Sequence, residues 1–244
     1  MLIDAFREVA GLTVTDEDGN TDVVRLLPPA TTAEIAALEA SLPAPLPADV
    51  REALAFTKGL ANGPIERLSL IDPDPGGFGL EDVFPHAHAI GHDGFGNYWV
   101  VDLLLTSRAW GPIFFACHDP PVVAWQCATV EEFVRAVVQM ERPGPRSPID
   151  VVHEDVVTAL WKRDPDALSH DAASVSTDPL LRELARACGP EYLVVDLRAP
   201  VLGSGFSWGR WGPRTRVRRC GEHRVWAYAP PEKRPGLWSR LLGR

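Results

Sequence analysis

The stretch that most constrains this chain is a glycine-rich turn that leads directly into a strand. Gly91, Gly94 and Gly96 stand within six residues, with Asp93 and Asn97 beside them. Glycine is favoured where the backbone needs a positive φ or a close approach, and Asp or Asn side chains commonly accept hydrogen bonds from turn N–H groups. We therefore predict that at least one of these glycines has a positive φ. We also predict that Asp93 and Asn97 satisfy backbone N–H groups within the turn.

A fixed order of elements follows the turn. Residues 98–101 are aromatic or β-branched, and Asp102 comes directly after them. Residues 112–119 and 122–127 have the same strand-like composition and are separated by a proline turn. Residues 129–132 then carry the Thr-x-x-Glu spacing of a capping box, which predicts the start of a helix. The predicted order is glycine turn, three strands and a capped helix.

This order resembles the SMI1/KNR4 (SUKH) family over roughly residues 30 to 140. Upstream, the apolar spacing after Thr32 and the Asn62-Gly63 stop are similar to the opening two helices of that family. The positions that match the family pattern from the turn onward are Gly91, Asp93, Gly94, Gly96, Asn97, Asp102, His118, Asp119, Thr129 and Phe133. The ordered set is far more specific than the glycine turn alone.

The resemblance implies a fold and a function. The fold is α+β, with a mixed, mainly antiparallel sheet flanked by helices. The function is that of a bacterial immunity protein, which binds and neutralises a cognate toxin, often a nuclease, without catalysis. In the resembled family the turn residues and the His118–Asp119 pair are not known as catalytic.

The chain divides at a proline-rich segment. Residues 142–148 contain three prolines, which stiffen the chain and cannot continue a helix. We place residues 1–141 in the SUKH-like domain and residues 149–244 in a second, small α+β domain. There, a helix over 151–163 and a three-strand meander near 206–228 are predicted.

Charge is distributed unevenly between the two parts. The net charge of the chain is −9, but residues 1–205 carry 14 basic and 31 acidic residues, a net charge of −17. From residue 206 onward, ten basic and two acidic residues give +8. An acidic surface steers toward basic partners, so exposed acids such as Glu81 and Asp82 are candidates for a partner surface.

The arginine stretch, which we define as residues 206–219, interleaves aromatic and basic side chains. The candidate surface residues are Trp208, Arg210, Trp211, Arg214, Arg216 and Arg218. This composition suits a platform for single-stranded nucleic acid. Two plainer interpretations are a solvated arginine face and a face that pairs with the acidic first part. The alternative function is therefore a regulatory or scaffolding protein whose basic C-terminal domain binds nucleic acid, through residues 206–228, or another protein.

The sequence offers no assembled catalytic or metal site. His86, His88, His92, Cys117 and His118 are suspects for zinc, but their spacing is not a zinc signature. Adjacent residues on a strand point to opposite faces, so His118 and Asp119 are not a dyad by themselves. We expect no catalytic residue, no metal and no cofactor.

The cellular setting follows from the cysteines and from apolar run lengths. The four cysteines form no CxxC pair and no disulfide framework, which favours a reduced, cytoplasmic setting. The N-terminus lacks the features of a signal peptide, and no apolar run approaches the roughly 20 residues that span a bilayer. We expect no membrane partner.

Overall fold

The computed structural model describes residues 1–15, 19–71, 79–80 and 83–231. The helical segments are α1 (Leu2–Val9), α2 (Thr32–Ser41), α3 (Ala48–Phe56), α4 (Val130–Met140), α5 (Pro148–Asp150), a π-helical turn (Val151–Val156), α6 (Val157–Lys162), α7 (His170–Ser174) and α8 (Pro179–Ala187). The strands are β1 (Thr13–Thr15), β2 (Thr21–Val23), β3 (Gly59–Leu60), β4 (Arg67–Ser69), β5 (Ala87–His92), β6 (Tyr98–Leu104), β7 (Ala109–His118), β8 (Pro121–Cys127), β9 (Ala167–Ser169), β10 (Leu193–Asp196), β11 (Gly205–Phe206), β12 (Arg216–Arg219) and β13 (Val225–Ala229).

The predicted α+β class is confirmed. A large sheet runs in the order β11-β8-β7-β6-β5-β4-β3 and is flanked by helices. A smaller sheet runs β12-β13-β10-β9, and β1 pairs with β2 in a hairpin. Every strand pairing among the described residues is antiparallel, so the sheet there is more regular than the mixed sheet we expected.

Both faces of the large sheet are covered, which explains the nearly continuous apolar runs in β6, β7 and β8. Trp99 and Phe115 face a core that also contains α1, α3 and α4 residues and the helical segment from Ile149 to Leu160. Val100 and Phe114 face the opposite side, where Trp226 and other C-terminal residues pack. The strands must therefore supply apolar side chains on both faces.

Helix starts follow the local sequence. Thr31 caps α2 with a complete capping box, since its hydroxyl accepts from Glu34 N and Glu34 accepts from Thr31 N. Thr129 caps α4 by accepting a hydrogen bond from the N–H of Glu132. The Glu132 carboxylate accepts a hydrogen bond from Ala128 N at 2.8 Å, where a capping box would use the N–H of Thr129. The predicted capping box is therefore shifted by one residue at its backbone donor.

The predicted three-strand meander is wrong in its first strand. β12 and β13 form a hairpin, but residues 205–206 leave it and pair with β8. Gly205 allows this because a Cβ there would lie 2.2 Å from the carbonyl oxygen of Val123, closer than real atoms approach. Phe206 is then fully buried in the core shared with Trp226 and Tyr228.

Residues from both sides of the proline-rich segment share a sheet and two cores. Ile149 and Leu160 pack with α4, and β11 extends the sheet of the first part. The segment is also tied locally, because Ser147 Oγ donates to Ala136 O at 2.6 Å. The division at 142–148 stays a prediction. Limited trypsin digestion near the exposed Arg142 and Arg146 tests it: separation of the fragments would support two folding units, and fragments that remain associated would count against them.

Candidate partner-binding surface at the glycine turn

The glycine turn, residues 91–97, is held by its own polar side chains. Asp93 Oδ1 accepts from Phe95 N at 2.9 Å and from Asn97 N at 3.2 Å, and Asp93 Oδ2 accepts from Asn97 Nδ2 at 2.6 Å. Gly94 and Gly96 have φ values of +83° and +88°, which confirms the glycine prediction. These contacts fix the backbone of the turn on both sides of Phe95.

Gly91 serves a different purpose. It lies opposite β4, where a Cβ would stand 2.9 Å from Arg67 O. The register between β5 and β6 also shifts between Ala89 and Gly91, so a bulge interrupts the pairing, which resumes with Gly91 opposite Trp99. Gly91 thus permits close approach of two strands.

His118 locks the turn to the end of β7. Asn97, which is 6% exposed, accepts at its Oδ1 from His118 N at 3.0 Å. The His118 ring nitrogen Nδ1 lies 2.9 Å from the same oxygen. The ring also stands 3.1 Å from where a Gly96 Cβ would be. The geometry of His118 is that of a brace for the turn, and Asp119 is exposed beside it.

A second histidine, from the helical segment after the proline-rich stretch, reaches the same turn. His153 Nε2 lies 3.2 Å from Asp93 Oδ2. Burial raises the pKa of Asp93, but hydrogen bonds from His153, Asn97 and the turn backbone outweigh burial and lower it to about 2. The pKa of His153 is raised, chiefly by its hydrogen bond with Asp93. The pair therefore favours a carboxylate and an imidazolium.

Phe95 stands at the tip of the turn, between the two positive-φ glycines. Its side chain is 75% exposed, which is unusual for a large aromatic residue. A cleft of about 170 Å³ opens beside it, lined by residues of the turn, of the 64–66 segment and of the helical segment after Pro148. A rigid backbone with an exposed ring is the kind of anchor that protein interfaces use.

The metal suspects do not converge. Among residues 1–15, 19–71, 79–80 and 83–231, no group of three or more His, Cys, Asp or Glu side chains could hold a metal ion. His88 Nε2 lies 2.9 Å from Leu70 O. Burial raises the pKa of the Cys117 thiol to about 11, so it stays protonated near neutral pH.

Most side chains of the arginine stretch make internal contacts. Arg210 pairs with Asp164 at 2.7 Å, and Arg216 pairs with Glu191 at 2.7 Å. Arg218 donates to Ala187 O and lies over the Tyr192 ring. Trp208 Nε1 donates to Cys117 O at 3.1 Å, and the Trp211 ring packs 5.7 Å from that of Tyr228. Arg214 is exposed.

Asp102, which lies within β6 two residues before its end, is fully buried and bound by an arginine from the stretch. Arg219 donates to its two oxygens at 2.7 and 2.8 Å, in a bidentate pair, and the Arg219 side chain is only 6% exposed. The Arg219 guanidinium also lies 5.0 Å from the centre of the Trp226 ring. This contact joins the two parts of the chain through residues 117 positions apart.

The two acids predicted for a partner surface, Glu81 and Asp82, lie outside the residues that the structure describes. Their assignment to such a surface stays a prediction. The described residues nearest to them in sequence, Leu80 and Val83, are buried in the core shared with the C-terminal part.

The turn, the strands behind it and the flanking helices define an α+β domain built on an antiparallel sheet. Residues 29–136 match the model of the SMI1/KNR4 family (SUKH-1), which confirms the predicted resemblance over this segment. The match spans 108 of 244 residues and ends before the proline-rich segment. Comparisons with curated proteins and with solved structures returned no match. Within the described part of the chain, no helix is both long and apolar enough to cross a membrane.

Three important residues escaped the sequence reasoning. Phe95 carried a usable signal, since an apolar residue between two turn glycines has little chance to reach the core. His153 carried none, because its partner Asp93 lies 60 positions away. For Arg219, the composition indicated an arginine face that pairs with the acidic first part, but not its partner Asp102, 117 positions away. Only the folded chain brings these pairs together.

Proposed function

We propose that this chain is a non-enzymatic binding protein that neutralises a cognate protein toxin, as immunity proteins of its family do. The observation that carries the proposal is the family match of residues 29–136. The proposal is also supported by the glycine turn, where the Phe95 ring is exposed. The polar groups of the turn are occupied in holding it, which suits binding better than catalysis.

The charge of the first part supports the same proposal. A net charge of −17 over residues 1–205 favours a basic partner, such as the nucleic-acid-binding cleft of a nuclease. Complementary charge speeds encounter more than it slows dissociation. Association should therefore be fast at low salt and slow as ionic strength rises, because exposed charges are screened over about 10 Å at 0.1 M.

The test is co-expression with the toxin-like product of a neighbouring gene, with cell survival as the measurement. Survival only when this chain is present would support neutralisation, and a complex of the two purified proteins would show that binding is direct. Cell death despite expression of the folded chain would contradict the proposal. Survival of cells that lack the chain would contradict it equally.

The alternative, nucleic-acid binding through residues 206–228, stays a prediction. Three of the six arginines in that stretch, Arg210, Arg216 and Arg219, pair with carboxylates inside the fold, which reduces the positive charge available to nucleic acid. Salt-sensitive retention of single-stranded DNA or RNA by the full chain would favour the alternative.

A further inference from the structure

The cleft beside Phe95 combines an apolar lining with an acidic rim. Its apolar members come from separate parts of the chain and are Pro64, Ile65, Phe95, Trp99, Met140 and Ile149. Its ionisable members are Glu66, Asp93, Asp150, His153 and Glu154. Four carboxylates and one histidine thus surround a space of about 170 Å³, which suits one side chain.

Two of these carboxylates are already engaged. Asp93 pairs with His153, and Glu154 lies 2.6 Å from Arg146 Nη2. Glu66 and Asp150 form no ion pair with any residue in the described part of the chain. Burial raises the pKa of Asp150 and a hydrogen bond with the Ser147 backbone lowers it; the nearby charge of Glu154 raises it, and those of Arg146 and His153 lower it. With four carboxylates against His153 and Arg146, the rim still has an excess of negative charge.

The part of the cleft wall that contains Phe95 has a fixed backbone before any partner binds. The turn backbone is fixed by Asp93, and the glycines on either side of Phe95 adopt conformations that other residues rarely do. The ring therefore stands in solvent and needs no further ordering of the backbone when a partner arrives. Preorganised aromatic side chains of this kind strengthen binding because little entropy is lost.

From these observations we propose that the cleft receives an arginine side chain of a protein partner. This inference rests on the proposed function, since it names the chemistry of the partner at the same surface. The apolar lining fits the aliphatic stem of arginine, and the Phe95 ring fits the face of its guanidinium. Glu66 and Asp150 supply the acceptors. Lysine fits less well, because its compact, strongly hydrated ammonium stacks poorly on a ring.

The first test uses a peptide probe and the full-length chain. Acetyl-Gly-Arg-Gly-amide is titrated into ¹⁵N-labelled protein at low ionic strength, with the lysine and citrulline peptides as matched probes. We expect shifts confined to the turn amides, the Trp99 indole N–H and residues 149–154, with affinity in the order arginine, lysine, citrulline. Equal affinity for citrulline, or shifts elsewhere in the chain, would overturn the inference.

The next test changes the cleft. Phe95→Ala and Glu66→Gln should each weaken binding of the arginine peptide at least about threefold, since each removes one favourable contact. Val175→Ala and Glu183→Gln are the matched controls. Val175 is 82% exposed and Glu183 is an exposed acid, and neither lines the cleft. Peptide binding unchanged in the two cleft variants, with the amide spectrum intact, would remove the basis of the inference.

The last test separates the cleft from the proposed function. If Val175→Ala protects cells from the toxin and Phe95→Ala does not, both are supported. If Phe95→Ala and Glu66→Gln together protect fully, the cleft inference is wrong and toxin neutralisation stands. If no toxin-like protein binds but the arginine peptide still binds beside Phe95, the toxin-neutralisation proposal is contradicted. The cleft inference then stands on its own.

Discussion

In the glycine turn, Asp93 accepts from the turn backbone, the Asn97 side chain binds Asp93 and His118, and the apolar ring of Phe95 faces solvent. In the arginine stretch, the charged groups of Arg210 and Arg219 point inward to buried or nearly buried carboxylates. The turn thus uses its polar residues for structure and exposes its apolar one. The arginine stretch has the composition of a charged surface, yet it directs most of its charge into the fold.

The difference lies in the sequence separation between each side chain and its hydrogen-bond partner. Asp93 binds Phe95 N and the Asn97 backbone and side chain within four positions, so the sequence pattern alone predicts these contacts. Arg210 and Arg219 find theirs 46 and 117 positions away. The composition shows which charged side chains the chain contains, and the topology of the sheets decides whether those side chains stay at the surface.

The largest effect should come from breaking the contact between the two regions. Asp102→Asn removes the carboxylate that both Arg219 nitrogens bind, and leaves a guanidinium that is only 6% exposed without its counter-charge. We expect the free energy of unfolding to fall by about 3–5 kcal/mol, as when one partner of a buried ion pair is removed. Urea denaturation followed by tryptophan fluorescence measures it.

The control for this variant is Asp171→Asn. Asp171 is 98% exposed, and its substitution should change stability by less than about 0.5 kcal/mol. If Asp102→Asn changed the free energy of unfolding as little as Asp171→Asn does, the Asp102–Arg219 pair would not be what joins the two parts of the chain.

Arg210 and Arg214 provide a matched pair within the arginine stretch. The Asp164 carboxylate, 5% exposed, accepts from Arg210 Nε, Ser207 Oγ and Tyr228 OH, and Arg214 is exposed. Arg210→Met should lower the free energy of unfolding by about 2–3 kcal/mol because Asp164 loses its charged donor. Arg214→Met should leave it within about 0.5 kcal/mol. Urea denaturation of the two variants side by side measures the difference.

The same pair sharpens the functional comparison. If residues 206–228 bind nucleic acid, Arg214→Met should weaken that binding without loss of stability. If the stretch is structural, only Arg210→Met should change anything measurable. Similar stability losses from both variants would show that exposure does not distinguish the two arginines.

Within the glycine turn, Gly96→Val should lower the free energy of unfolding by about 1–3 kcal/mol, since valine tolerates positive φ poorly. Gly212→Val is the matched control, because Gly212 has φ +85° but no heavy atom within 4 Å of its would-be Cβ. At Gly96 the new Cβ would also press on the His118 ring. Thermal and urea unfolding should therefore show a larger loss at Gly96, and an equal loss would mean that His118 does not brace the turn.

Much of the fold could be predicted because its signals are local. The capping box at Thr31, the cap at Thr129 and the positive φ of Gly94 and Gly96 all depend on residues within a few positions. The strand order from Tyr98 to Cys127 follows from short turns that leave antiparallel pairing as the simple outcome.

The rest could not be predicted, because it depends on which distant surfaces meet. Phe206 has the local sequence of the first strand of a meander, and only the close approach that Gly205 permits explains why it joins β8 instead. Likewise, nothing local to His153 or Asp93 indicates that they meet. For the candidate site, the sequence predicted the positive φ of the turn glycines and the role of Asp93. The predicted role of Asn97 was wrong, since its oxygen accepts from His118 N outside the turn, and the helical segment that completes the cleft was missed.

The smallest expected effect is the pH dependence of the Asp93–His153 contact. The folded pKa of His153 is raised above its ordinary value of about 6.5, so its contribution to stability is fully present below that pH. That contribution is lost as pH rises through the higher folded pKa. The pKa of Asp93 is lowered to about 2, so its contribution is present above about pH 4 and is lost as pH falls toward 2.

His153→Gln should therefore lower the free energy of unfolding between about pH 4 and 6.5, and the difference from the unmodified chain should shrink at higher pH. The loss should stay below about 1 kcal/mol, since the His153 side chain is 45% exposed and solvent screens the pair. Asp93→Asn should lower the pKa of His153, because it removes the hydrogen bond that raises that pKa most; Glu154 and Asp150 still raise it, and burial lowers it. NMR titration of the His153 ring measures this directly. A ring that titrates identically with and without the Asp93 carboxylate would show that the helical segment is held near the turn by packing, such as that of the His153 ring 5.4 Å from the Phe115 ring, and not by the ion pair.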